Sequence, residues 1–201
     1  MAGKAGESID RRLMECATEL IRRNGYVGTS VDDICAAAGV TKGAFFHYFK
    51  SKEALAEACL VGWKEMAMRM VRDAPFHSIA DPVQRLLAGM KFLTDFFSQP
   101  GMLKSCLAGT TLQETSESHP RLRAAAHNCL VDGQARFKTL LDGACQATGR
   151  QMDTDALSAL WMSTLQGSFI LAKGSGEDSV VRKSLEHVNQ YITSLITTNA
   201  G

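Results

Sequence analysis

The sequence predicts an all-α fold, on three observations. Apolar residues recur at intervals of three and four through most of the 201 residues. No stretch alternates with period two for long enough to make a convincing strand. The breaks in the helical pattern fall at Gly and Pro, and capping Ser, Thr or Asp residues stand where the pattern resumes.

Taken in order, Ile9 to Arg23 carries Leu13, Cys16, Ala17, Leu20 and Ile21 on one stripe, and Asn24-Gly25 stops it. Arg11, Arg12, Arg22 and Arg23 lie off the stripe among Asp10, Glu15 and Glu19, an ordinary charged surface. Ser30 can N-cap a second helix, with Asp33 three residues on and Val31, Ile34 and Ala38 on one face. Gly39 follows where the chain must turn, and Thr41 is a fresh N-cap. In the third helix Phe45 and Phe49 recur at i and i+4, which turns both rings toward a core. Cys35 sits where the two short helices cross, so a small side chain is expected there, with packing as its role.

Five longer helices and a shorter one follow. One runs from about Lys52 to Asp73, ahead of Pro75. The next opens at Asp81-Pro82, keeps Val83, Leu86, Leu87, Met90, Leu93 and Phe97 in register, and closes at Pro100-Gly101. A shorter helix begins near Cys106. Pro120 opens another, through Leu122, Ala126, Cys129, Gly133, Phe137 and Leu140 to Gly149. Asp153 opens one more, and Gly174-Ser175-Gly176 separates it from a last helix carrying Val181, Leu185, Val188, Ile192 and Leu195.

The segment Thr29 to Lys52, TSVDDICAAAGVTKGAFFHYFKSK, has the spacing of a helix-turn-helix. The outer face of its second helix presents Lys42, Gly43, Ala44, Phe46 and His47, without an acid between Ile34 and Lys52. Lys42, His47, Lys50 and Lys52 can all approach phosphate, although Lys50 also fits as a solvated lysine. The positive charge is local, because the whole chain carries a net +1.

At these residues the chain resembles the TetR family of bacterial transcriptional repressors. The resemblance rests on the Gly-containing turn, the Lys-Gly opening of the next helix, and the aromatic-His-Tyr-Phe cluster before Lys-Ser-Lys-Glu. It implies an N-terminal three-helix DNA-binding domain over residues 1–52 and a larger helical domain for effector binding and dimerisation over 53–201. It also implies phosphate contacts from Thr29, His47, Tyr48 and Lys52, and groove contacts from Thr41, Lys42, Gly43 and Ala44. Ala44 offers only a methyl for reading a base edge, so Lys42 and DNA shape are expected to carry more of the specificity.

The implied partners are a double-stranded DNA operator, a small-molecule effector and a second copy of the chain. Ala159, Ser163 and Gly167 place small residues four apart, and with Leu185, Val188, Ile192 and Leu195 they are the expected dimer interface. Packing within one subunit would explain either stripe alone. A dimer suits two recognition helices about 34–36 Å apart on a palindrome. Met66, Met70, Met90, Phe92, Phe96, Met102, Trp161, Met162 and Phe169 supply apolar pocket lining, with Gln113, Glu114, His127 and Gln166 as polar anchors. Cys106, near a helix start and Lys104, adds the alternative of a redox or electrophile trigger.

Composition agrees with this organisation. A 45% hydrophobic content is enough for a core, and no apolar run of about 18 residues or signal-peptide region is present, so a cytoplasmic protein with no membrane partner is expected. The six cysteines show no C-x-x-C spacing, which favours a reducing compartment over a disulfide framework or structural zinc. No G-x-S-x-G, H-E-x-x-H or phosphate-binding Gly loop occurs, so neither catalysis nor a cofactor or metal is expected. A helical scaffold binding only protein remains a weaker alternative, since it leaves the basic face unexplained.

Overall fold

The computed structural model describes residues 8–100 and 105–197. Met102 and Lys104 lie outside the described residues. Within them the regular structure is helical and contains no strand. α1 (Ile9–Asn24), α2 (Val31–Ala38) and α3 (Lys42–Tyr48) are followed by the long α4 (Lys52–Arg72). A 3-10 turn over Pro75–Ser78 leads to α5 (Pro82–Phe97), and α6 (Leu107–Thr115), α7 (Pro120–Thr148), α8 (Thr154–Ser175) and α9 (Ser179–Thr197) complete the order.

Local chemistry explains most of these boundaries. Asp81 Oδ1 accepts the Gln84 N–H at 2.8 Å and starts α5, and Asp153 Oδ1 does the same for Ala156 at 2.9 Å in α8. Phe49 departs from the expected pattern. Its backbone is extended (φ −129°, ψ 124°), so it ends α3 instead of continuing it, although its ring stays 6.2 Å from that of Phe45.

Packing divides the chain into two compact units. The first contains the chain as far as Met66 together with Cys106–Cys129, and the second contains Ala67–Ser105 and Leu130–Gly201. The boundary expected at 52/53 falls at the first turn of α4 instead of at a gap in packing. α6 and the beginning of α7 join the N-terminal helices, a long-range association that no local pattern announces.

The core of the first unit is built from Leu13, Ala17 and Ile21 of α1, Ile34 and Ala38 of α2, Phe45 of α3, Leu55 and Leu60 of α4, and Leu107 of α6, all buried. Cys59 belongs to it too: its thiol donates to the Met14 carbonyl at 3.4 Å, and burial pushes its pKa up to about 11.

In the second unit α9 packs on α8 and α5. Val181, Leu185, Val188, Ile192 and Ile196 are buried there, so the stripe closes on Ile196, and Leu195 is only half-buried. Leu185, Val188 and Ile192, expected at a dimer interface, are therefore core residues of their own subunit. Trp161 also turns inward. Its ring stacks on Phe137 with centroids 4.8 Å apart, and its Nε1 donates to Asn189 Oδ1 at 3.0 Å. The Asn189 Nδ2 donates in turn to Thr94 Oγ1 at 2.9 Å, so one polar chain joins α8, α9 and α5.

Ile192→Ala removes a side chain with no exposed surface. It should cost about 2–5 kcal/mol in urea unfolding at fixed protein concentration. An unchanged midpoint would place Ile192 outside the subunit core.

Candidate nucleic-acid interface

The turn between α2 and α3 is assembled from local bonds. Ser30 Oγ accepts the Asp33 N–H at 3.1 Å while Asp33 Oδ2 accepts the Ser30 N–H at 2.8 Å, a complete capping box. The Ser30 hydroxyl donates to Asp33 Oδ2 at 2.6 Å, and with the Ser30 N–H it holds the Asp33 carboxyl below its ordinary range. Gly39 closes α2 in the left-handed region (φ 62°, ψ 40°), where a Cβ would be strained, and the Val40 N–H returns to the Cys35 carbonyl at 3.0 Å. Thr41 Oγ1 then accepts the Ala44 N–H at 3.2 Å and opens α3.

α3 buries one ring and shows the other side. Phe45 is 0% exposed, whereas Thr41, Lys42, Gly43, His47 and Tyr48 are exposed and Ala44 is half-buried. Phe46 is 54% exposed, its ring edge-on to Phe45 at 5.1 Å. Sequence reading left Phe46 out of the site, although its place beside Gly43 and His47 on the outer face was the available signal. A phenyl ring there can meet the methyl group of a thymine.

The absence of acids between Ile34 and Lys52 does not leave Lys42 unopposed. Asp32, on α2, reaches across the turn, and its Oδ1 lies 2.8 Å from Lys42 Nζ with both side chains well exposed. This bond raises the Lys42 pKa. Helical spacing within one helix could not reveal the pair, because the turn between the helices creates it.

Two residues expected on phosphate are committed elsewhere. Thr29 is fully buried, and its hydroxyl donates to the Gly25 carbonyl at 2.7 Å. Lys52 Nζ donates to the carbonyls of Tyr26 at 2.8 Å and Thr29 at 2.9 Å, and sits 4.1 Å from the centre of the Tyr26 ring. Partial burial lowers the Lys52 pKa. Both residues therefore brace the Gly25–Thr29 loop ahead of α2.

The residues expected to line an effector pocket are divided between the two units. Met66, Cys106 and Glu114 belong to the first unit, and Met70, Phe92, Phe96, Trp161, Gln166 and Phe169 to the second. Glu114 is bonded to the Val27 N–H at 2.9 Å. In the second unit Phe97 lies between Phe96 and Phe169, at 5.2 and 5.8 Å, and Phe92 lies 5.6 Å from Phe76. A groove of about 580 Å³ between α5 and α9 is lined by Met90, Thr94, Asp95, Arg182 and Asn189 among others, and of the expected lining only Met90 faces it. Its charges are already paired, with Arg182 Nη1 2.9 Å and Lys91 Nζ 2.7 Å from the two Asp95 oxygens.

On α8 the small residues keep an open face. Ser163 is exposed, Ala159 and Gly167 are half-buried, and Leu160, Ile170 (55%) and Leu171 (62%) are exposed on the same side. Among the described residues no group of three His, Cys, Asp or Glu side chains could hold a metal ion, and no helix is long and apolar enough to cross a membrane.

Two short capped helices around a left-handed glycine, with an anchored ring inside and an exposed face outside, define a helix-turn-helix DNA-binding regulator. The chain belongs to the TetR family of bacterial transcriptional regulators. Residues 13–59 match the family of bacterial regulatory proteins of the tetR type, and residues 82–188 match the tetracyclin repressor-like C-terminal domain. The transcriptional regulator AcuR of Cereibacter sphaeroides is 29% identical, covering 86% of this chain and 78% of that protein. The HTH-type transcriptional repressor DhaR of a Mycobacterium species is 26% identical, covering 92% and 89%. The crystal structure of the reduced form of Escherichia coli NemR shares the fold, with a TM-score of 0.76, 21% identity, and coverage of 97% of this chain and 100% of that one.

Lys52→Met removes the two carbonyl bonds but keeps the aliphatic stem. It should lower stability by about 1–3 kcal/mol, whereas Lys42→Ala should leave the melting temperature unchanged. Equal melting temperatures for the two variants would return Lys52 to the surface.

Proposed function

We propose that the chain works as a homodimeric repressor released from a palindromic operator by a small-molecule effector. The observation that carries the DNA contact is α3, anchored by buried Phe45 and open along Thr41, Lys42, Gly43, Ala44, Phe46 and His47, with Tyr48 beside them. Thr29 and Lys52 serve it by position, not by reaching phosphate themselves. The named repressors among the relatives support the sign of regulation.

The dimer reading is supported by the exposed apolar face of α8, formed by Leu160, Ile170 and Leu171 around Ser163 and Gly167, together with Tyr191 and half-buried Leu195 on α9. Small residues let a second helix approach, and a two-fold axis would place the same face of both copies together. The effector reading is supported by the aromatic residues Phe92, Phe96, Phe97 and Phe169, which offer apolar lining on α5 and α8. An effector that binds better to the arrangement with more widely separated recognition helices weakens operator binding to the same extent.

A second reading is favoured by Cys106. It occupies the N-cap position of α6, is half-buried, and interacts electrostatically with the Arg22 guanidinium. Electrophiles alkylate such a thiol, and oxidants convert it to sulfenic acid. Cys106→Ser should then abolish release of DNA by N-ethylmaleimide or peroxide. Unaltered release in that variant removes Cys106 as the trigger.

Selection of duplexes from a random library, at near-physiological salt, tests the main reading. The wild type should enrich a palindrome with half-sites about one helical turn apart, and Lys42→Ala should blur its sequence. Ile170→Glu should sediment as a monomer and recover no palindrome. Enrichment of an unpaired half-site by a dimeric wild type would overturn the symmetric arrangement.

A further inference from the structure

We propose that Glu114 is a positioning residue that ties α6 directly to the helix-turn-helix, giving the DNA-reading face a control line in addition to that through α4. The proposal rests on the effector-release reading only for its physiological use.

The link crosses 87 residues of sequence and consists of one side chain. Glu114 stands in the last turn of α6, and its Oε2 accepts the Val27 N–H at 2.9 Å. The same carboxylate fills the space above Gly25. A Cβ at that residue would lie 2.0 Å from Glu114 Oε1 and would push the carboxylate aside, and the backbone there, with φ +88°, favours glycine. The carboxylate thus fits a loop whose shape admits it.

From the other side the loop is gripped by the Lys52 ammonium, through the carbonyls of Tyr26 and Thr29, and Lys52 and Glu114 attract one another. Tyr26 is buried, with its ring under Lys52 and edge-on to His119 at 5.3 Å. His119 immediately precedes α7. The segment from Gly25 to Thr29 is therefore held by both α4 and α6, with His119 ahead of α7 against the Tyr26 ring. Ser30, the cap of α2, follows it directly.

Hydrogen bonds weaken steeply once donor and acceptor separate beyond about 3.5 Å. A shift of α6 by roughly 1 Å along its axis therefore frees the Val27 amide while the Lys52 contacts persist. α6 begins at Leu107, directly after Cys106. The carboxylate converts that shift into a change at the cap of α2, and α3 follows through the Gly39 turn.

Hydrogen exchange on the full-length protein tests this without knowledge of the effector. In Glu114→Ala the Val27 amide should exchange about tenfold faster or more, in line with loss of a charge-assisted bond. Amides of α8 and α9 should be unchanged. Glu114→Gln, which keeps an acceptor oxygen, should restore part of the protection. Coupling gives a readout that a purely structural role would not move: the operator duplex recovered by selection should slow exchange in α6 of the wild type, but not in α6 of Glu114→Ala.

Unchanged Val27 exchange in a folded Glu114→Ala protein, or equal α6 protection by DNA in both proteins, would overturn the proposal. If the wild type recovers no duplex, the DNA-binding reading fails by itself, and the Val27 exchange still decides the latch.

Discussion

Seven residues are too few for a helix to persist alone in water, so α3 exists because Phe45 is wholly buried among the helices of the first unit and Thr41 caps its start. This one ring sets the depth and rotation of the helix. Everything it shows to solvent, from Lys42 to His47, is placed by what Phe45 hides. The neighbouring devices serve the same end: the capping box of Ser30 and Asp33 fixes where α2 begins, and the left-handed Gly39 fixes the angle at which α3 leaves it.

The parts of this arrangement that were legible in the sequence are those whose partners lie within four residues. Ser30, Thr41, Asp81 and Asp153 each cap a helix by accepting an N–H three residues on, and each could be read in place. Gly39 was legible because few other residues adopt its conformation easily. The misread residues are bonded across long stretches of chain. Lys52 meets Tyr26 and Thr29, Glu114 meets Val27, Trp161 meets Asn189, and Asp32 meets Lys42 across a turn. Residue type announced that each of these could make a polar contact but not with whom.

Amphipathic period has a related limit. The regular stripe of α9 announces an apolar face, yet says nothing about whether a sister helix or a second molecule covers it. Here α5 and α8 of the same chain cover Leu185, Val188 and Ile192. The irregular α8, apolar on more than one side, is the helix that leaves Ile170 and Leu171 uncovered. Helices that read as least amphipathic can be the ones that face two environments, because both of their sides carry apolar residues.

The contact between Asp32 and Lys42 bears on how the protein would search a chromosome. A carboxylate tethered one turn away is present at a high effective concentration, so the lysine already has a counter-ion wherever the protein goes. Random phosphate must displace that acid and then tolerate its charge nearby. A guanine edge, which offers two acceptors in a fixed geometry, compensates for the exchange better than a phosphate oxygen does. In the proposed dimer Asp32 would thus tax loose encounters, holding the grip on non-cognate DNA low so that wrong sites are left quickly and residence is kept for the right one.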